Sequence, residues 1–188
     1  MDSRRALLVW HARKIVPGYA FPAEDVKLTE GVHECGDPDL AGYVQVDWKA
    51  ADRWLEEDEE VVGHPRDPFH RVDVRVSTRH VVVAVEGEVL AESRRAMLLF
   101  ETFLPVRKYF PREDVHMDLL EASDKRTTCA YKGHASYLSA AGAPDIAWTY
   151  PEPLPDAEQI RDLVAFFDER TDVTIDGEDQ ERPRTPWS

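Results

Sequence analysis

Ser93-Arg94-Arg95-Ala96-Met97-Leu98-Leu99-Phe100 restates Ser3-Arg4-Arg5-Ala6-Leu7-Leu8-Val9-Trp10 at an offset of 90. Further on, Phe110-Pro111-Arg112-Glu113-Asp114-Val115 restates Phe21-Pro22-Ala23-Glu24-Asp25-Val26 at an offset of 89. Two blocks in the same order, one residue out of step, point to an internal duplication. The plainer reading is convergent turn chemistry. The later copy is preceded by Val83-Ala84-Val85-Glu86-Gly87-Glu88-Val89-Leu90, apolar and polar residues alternating about a turn glycine, which predicts a β-hairpin. The earlier copy has no room for one before Ser3. Val173-Thr174-Ile175-Asp176-Gly177-Glu178 has the same character, so this C-terminal hairpin is expected to complete the N-terminal copy.

Working outward, Val72-Asp73-Val74-Arg75-Val76 alternates as a half-buried strand and Val81–Val85 reads as a buried one. Asp47–Leu55 predicts a helix, with Asp47 as cap and Trp48, Ala51, Trp54 and Leu55 on one face. Residues 156–167 predict another, with Ile160, Leu163, Val164 and Phe167 on its stripe. The acidic run 56–60 is expected to end the first helix as a solvated face. The expectation is a mainly β chain with a few helices, in two tandem units. The first spans 1–75 and is completed by 171–188; the second spans 76–170, and the border lies within 63–80.

Composition narrows the class of function. The chain has 188 residues and a net charge of −14, with 43% hydrophobic and 32% charged residues. There is enough apolar matter for a core, and the acidity argues against nucleic acid or an anionic membrane as partner. No apolar run approaches the roughly 18 residues of a membrane helix. The start resembles no signal peptide. Two cysteines in unlike contexts, Cys35 and Cys129, fit a reducing cytoplasm without a disulfide framework.

The densest polar and aromatic constellation lies in the second copy. Arg94-Arg95, Tyr109-Phe110-Pro111, Cys129 with Tyr131-Lys132-Gly133, Ala135-Ser136-Tyr137, and Trp148 with Tyr150-Pro151 together resemble the motifs of the bacterial and fungal "domain of unknown function 427". The resemblance covers residues 80–170 strongly and 3–80 faintly, like the two-copy members of that family. It implies a β-tent-like fold, related to zinc-ribbon-derived and methionine-sulfoxide-reductase-like domains. The family also carries a nucleotidyltransferase label. The chain has neither the Cys-x-x-Cys knuckles of zinc-binding relatives nor the Gly-Ser and spaced aspartates that would hold magnesium. No metal site and no cofactor is expected. The first copy has no counterpart of Tyr131-Lys132-Gly133, so any site belongs to the second.

Each candidate reads two ways. Cys129 is a nucleophile or redox thiol activated by Lys132 or His134, or an inert core thiol. Lys132 places an ammonium beside a ligand anion, with Gly133 allowing close approach, or the pair is a tight turn bearing a surface lysine. Arg94 and Arg95 bind ligand, or pair structurally with Glu113-Asp114. Glu113 is a general base or part of that pairing. Tyr109, Tyr131, Tyr137 and Trp148 line a cleft or fill the core. The leading function is binding of a small, anionic molecule in a cleft near Cys129-Tyr131-Lys132, with chemistry from Cys129 or Glu113 if any occurs. The alternatives are a non-catalytic structural or protein-interaction module and a nucleotide-handling enzyme. The fused repeat suffices as a monomer, and a homodimer stays open.

Overall fold

The computed structural model describes residues 7–11, 14–27 and 29–188, with side chains for 18–27 and 29–188. The chain is mainly β and divides into two compact units, Met1–Phe69 and His70–Ser188. The border thus falls at 69/70, and residues 171–188 belong to the second unit. The described residues contain no helix long and apolar enough to cross a membrane.

The first unit holds strands β1 (Leu7–His11), β2 (Lys14–Pro22), β3 (Val32–Glu34) and β4 (Tyr43–Val46), in the order β1-β2-β4-β3. A small hairpin follows, β5 (Leu55–Glu56) and β6 (Glu59–Glu60). Tyr19, Phe21, Val44, Val46, Trp54 and Val61 make its core.

The expected helix over 47–55 is instead a single 3-10 turn, Trp48–Ala50, and the acidic run forms the β5–β6 hairpin, reversing at Glu57 with φ +53°. The apolar spacing has another cause. Trp48 and Trp54 stack on one another, centroids 4.9 Å apart and planes 6° off parallel, with Trp54 buried on the sheet. Aromatic packing of this kind needs no helical period.

The second unit contains two sheets. The larger uses β7 (Val72–Val76), β10 (Met97–Glu101), β11 (Arg107–Phe110), β12 (Glu121–Cys129), β13 (Gly133–Ala140), β14 (Ala143–Thr149) and β15 (Val164–Phe166). Its order is β12-β13-β14-β15-β11-β10-β7. The smaller is β17-β16-β8-β9, from β8 (Val81–Val85), β9 (Glu88–Ser93), β16 (Asp172–Ile175) and β17 (Glu178–Asp179). Val81, Val83, Leu90, Val173 and Ile175 of the smaller sheet pack on Phe110, Ala147, Val164 and Phe166 of the larger. Each large side chain buried there contributes about 1.5–3 kcal/mol.

The hairpin expected at Glu86-Gly87 is present, as is the one at Asp176-Gly177. The second does not complete the first unit. Val173 pairs with Val83 and Ile175 with Val81, so β16 extends the second unit's own sheet. Alternation puts all four on the buried face, while Arg79 Nε (2.8 Å) and the His80 backbone N–H (2.9 Å) donate to Asp176 and fix the turn. The expected helix over 156–167 also gives way. A 3-10 stretch, Pro155–Ile160, reverses at Asp162 (φ +60°) into β15, whose three residues are all buried. A strand covered on both faces is apolar throughout and mimics a helical stripe.

The two units share a pattern of pairing. The first sheet's order, β1-β2-β4-β3, matches the inner strands β10-β11-β15-β14 of the second. Leu7 pairs with Ala20 as Met97 pairs with Tyr109. Gln45 lies between Ala20 and His33 as Ala165 lies between Tyr109 and Trp148. Pro22 and Pro111 open 3-10 turns with nearly equal dihedrals (−52°, 131° and −53°, 140°).

Candidate functional site

A β-strand turns alternate residues to opposite faces. Phe110, Ala147, Val164 and Phe166 face the core between the two sheets, so Tyr109, Trp148, Ala165 and Phe167 face the other way. On that second face lies a cavity of about 300 Å³. Arg107 and Tyr109 come from β11, Thr127, Thr128 and Cys129 from β12, Tyr137 from β13 and Trp148 from β14. Glu101, Leu104, Lys132, Tyr150, Phe167 and Trp187 complete the lining. Six of its thirteen lining residues are aromatic.

Both cations of the lining are paired. Arg107 donates twice to the buried Glu169 (2.8 and 2.7 Å), and the Thr185 hydroxyl donates to the same carboxylate (2.6 Å). Burial alone would raise Glu169. The hydrogen bonds from Arg107 and Thr185 outweigh it and hold the carboxyl at about 2. The Arg107 guanidinium also lies 5.5 Å from the Trp148 ring centroid and 5.8 Å from that of Trp187. Lys132, 8% exposed in its side chain, is ion-paired and hydrogen-bonded to Glu101, which also meets His70 Nε2 at 3.2 Å. His70 stacks on Tyr131, centroids 4.0 Å apart. The ammonium expected to meet a ligand anion is therefore already occupied.

The hydroxyls are distributed unevenly. Trp148 Nε1 donates to the Tyr109 oxygen at 3.0 Å. The Tyr137 and Thr127 hydroxyls share a bond of 2.9 Å, and Thr128 meets His134 Nδ1 at 2.9 Å. Tyr150 is 5% exposed, and its hydroxyl has no hydrogen-bond partner among the described residues. Burial, then the nearby Tyr109 phenol, pushes the Tyr150 hydroxyl well above its ordinary value, and burial does the same to Tyr109. Both phenols stay protonated and able to donate.

Of the residues singled out in the sequence, Tyr109, Cys129, Lys132, Tyr137 and Trp148 come together in this cavity. Tyr131 is buried but stacks on His70 outside the lining. Gly133 serves the backbone. At φ +93° it lets the chain pass so close that a Cβ would stand 3.1 Å from the Glu152 carbonyl oxygen. Arg94 and Arg95 are exposed and border a separate shallow hollow. Arg95 pairs there with Asp114 (2.8 Å) and Glu113 (3.1 Å), and the Ser93 hydroxyl donates to Asp114 (2.6 Å). Glu113 is thus committed to that pairing and is not part of the cavity. The corresponding Arg4 and Arg5 fall outside the described residues.

Sequence reasoning missed Glu101, Arg107, Phe167 and Trp187, and quoted Tyr150 within the family motif without giving it a role at the site. Tyr150 and Phe167 had a readable signal, since each lies two residues beyond another residue of the same sheet face, Trp148 and Ala165. The ion pairs had none, because Arg107 and Glu169 are 62 residues apart. Of the two free cysteines, Cys129 borders the cavity, while burial and Asp37 push the Cys35 thiol up. Among the described residues no cluster of three His, Cys, Asp or Glu side chains is placed to hold a metal ion.

Fold and site define a class: a β-sheet protein with an aromatic-walled cavity whose bordering charges are internally paired. The family model described as a domain of unknown function, DUF427, matches residues 73–177, and the chain belongs to that family. The matched stretch runs from β7 to the turn after β16, within the second unit. No curated protein matches the chain.

Proposed function

We propose that the second unit binds a small molecule in the cavity beside Cys129 and Lys132. The observation that supports this most is a cavity of about 300 Å³ with six aromatic residues in its lining, among them Tyr150, whose hydroxyl makes no hydrogen bond among the described residues. A ligand oxygen that accepts from this hydroxyl gains a hydrogen bond worth about 1 kcal/mol net. The cavity lies at the small end of the usual range for ligand sites. With this reading goes a structural one: the two units are copies of one tent-like plan, and among the described residues the first has no counterpart of the β12–β13 hairpin that supplies Cys129, Lys132 and Tyr137.

A protein-interaction module has less support. The exposed Val76 (75%) and Phe103 (95%) lie toward opposite ends of the β7–β10 pair and form no common patch.

The test is a fragment screen on the full chain, read by Trp fluorescence and by protection of Cys129 from iodoacetamide. Bound fragments should slow alkylation of Cys129 and leave Cys35 unaffected. Cys129→Phe, which fills the cavity, should abolish binding while circular dichroism stays unchanged. If no fragment binds, or if hits bind the filled variant equally well, the proposal fails.

A further inference from the structure

The arrangement of charge and hydrogen atoms around the cavity narrows the ligand further. Arg107 and Lys132 border it with one positive charge each, and Glu169 and Glu101 answer them with one negative charge each. All four side chains are at most 8% exposed. The local balance is zero before any ligand arrives. A carboxylate or phosphate placed there would be a buried, uncompensated anion unless it broke one of these pairs, and both routes are unfavourable.

The unspent capacity is of another kind. Among the described residues the hydroxyl hydrogen of Tyr150 has no acceptor, and neither does that of Tyr109, whose oxygen accepts from Trp148. The two phenols are close enough for Tyr109 to raise the Tyr150 pKa, and both remain protonated. Two neighbouring donors suit an oxygen with two lone pairs. Around them, Tyr137, Trp148, Phe167 and Trp187 offer flat apolar faces.

We infer that the cavity takes an uncharged, planar ligand of one or two fused rings whose carbonyl oxygen accepts hydrogen bonds from Tyr150 and Tyr109. This rests on the ligand-binding reading above and replaces the anionic ligand that Lys132 suggested. Cys129 and Leu104 would border the rest of the ring system.

Three bicyclic probes of nearly equal size separate the possibilities: 1-indanone with a carbonyl, indene with none, and indene-3-carboxylate with a charge. Affinities for the full chain are measured by calorimetry and saturation-transfer NMR. The ketone should bind about five- to tenfold more tightly than indene, the effect of one or two net hydrogen bonds, and more tightly than the carboxylate. Tyr150→Phe should erase the ketone's advantage while leaving indene binding unchanged, and Tyr109→Phe should reduce it. Unchanged indene binding also shows that the variants fold. A carboxylate that binds as well as the ketone overturns the inference but leaves the cavity a small-molecule site. The same holds if Tyr150→Phe leaves the ketone's advantage intact. If none of the three binds, the inference fails, and a fragment screen that also finds nothing removes the binding reading with it.

Discussion

The first sheet and the inner four strands of the second have the same order and the same residue register, yet one of their two faces is chemically different. The core faces are alike: by strand position Phe21, Val44 and Val46 in the first unit match Phe110, Val164 and Phe166 in the second. The opposite faces differ. Where the second unit has Arg107, Tyr109, Trp148 and Phe167, the first has Gly18, Ala20, His33 and Asp47. His33 and Asp47 meet at 3.2 Å with side chains 61% and 63% exposed, whereas Arg107 and Glu169 are 6% and 0% exposed. The same strand order therefore carries an exposed His33–Asp47 pair in the first unit and a buried, aromatic-flanked Arg107–Glu169 pair in the second. Packing against the core fixes the fold, and the outer face is left to vary.

The difference can be tested from its strongest point downward. Glu169→Ala strips the partner from a buried guanidinium and should destabilise the second unit by about 3–5 kcal/mol in denaturant titration. Asp47→Ala, at the exposed pair of the first unit, should cost less than about 1 kcal/mol. Comparable losses at the two sites would mean that the faces do not differ energetically as their burial indicates.

Next in size is a pair of glycines. Gly133→Ala combines a left-handed backbone with a Cβ 3.1 Å from a carbonyl oxygen. It should cost about 2–3 kcal/mol. Gly42→Ala has φ +85° but open space around it and should cost about 1 kcal/mol. Equal costs would show that the close approach of residues 152–154 is unimportant.

Acid should act unevenly too. The folded pKa of Glu169, about 2, lies below its ordinary 4.5. Its contribution is thus complete above about pH 4.5 and is lost as pH falls towards 2. Midpoints measured across that window should fall in the native protein, and the fall should be shallower in Glu169→Gln. Identical slopes would exclude Glu169 as a contributor. The smallest effect concerns Thr149, whose hydroxyl is buried without a partner. Thr149→Val should be neutral or stabilising by up to about 1 kcal/mol, read as an unchanged or higher Tm. A drop in Tm would reveal a hydrogen bond or bound water at that hydroxyl.

Much of the fold could be read from local pattern. The strands at 72–76 and 81–85 alternate or run apolar, and Glu86-Gly87 and Asp176-Gly177 occupy turns with positive φ at both residues. Patterns with two physical causes misled. Trp48 and Trp54 are spaced like a helical stripe but stack across a loop, and Val164–Phe166 is apolar because both of its faces are buried. The partner of β16 was not legible, because an alternating strand fits any apolar edge and only the folded chain shows that Val81–Val85 has one available. At the site, the aromatic residues read as either core or cleft lining, and the fold buries Tyr109, Tyr137 and Trp148 along a cavity. Nothing in the sequence showed that Glu101 would neutralise Lys132, since ion pairing depends on chain contacts that sequence spacing does not encode.

The pairing of β8 with β16 also sets a timetable for synthesis. All strands of the first unit lie before residue 61, so that unit has every partner it needs early. Val81 and Val83 must wait for Val173 and Ile175, about 90 residues later, before that side of their strand is covered. A message cut short before codon 172 would release a chain with an apolar strand edge permanently open. Such products are the ones most prone to aggregation, and the cell's proteases have reason to remove them first.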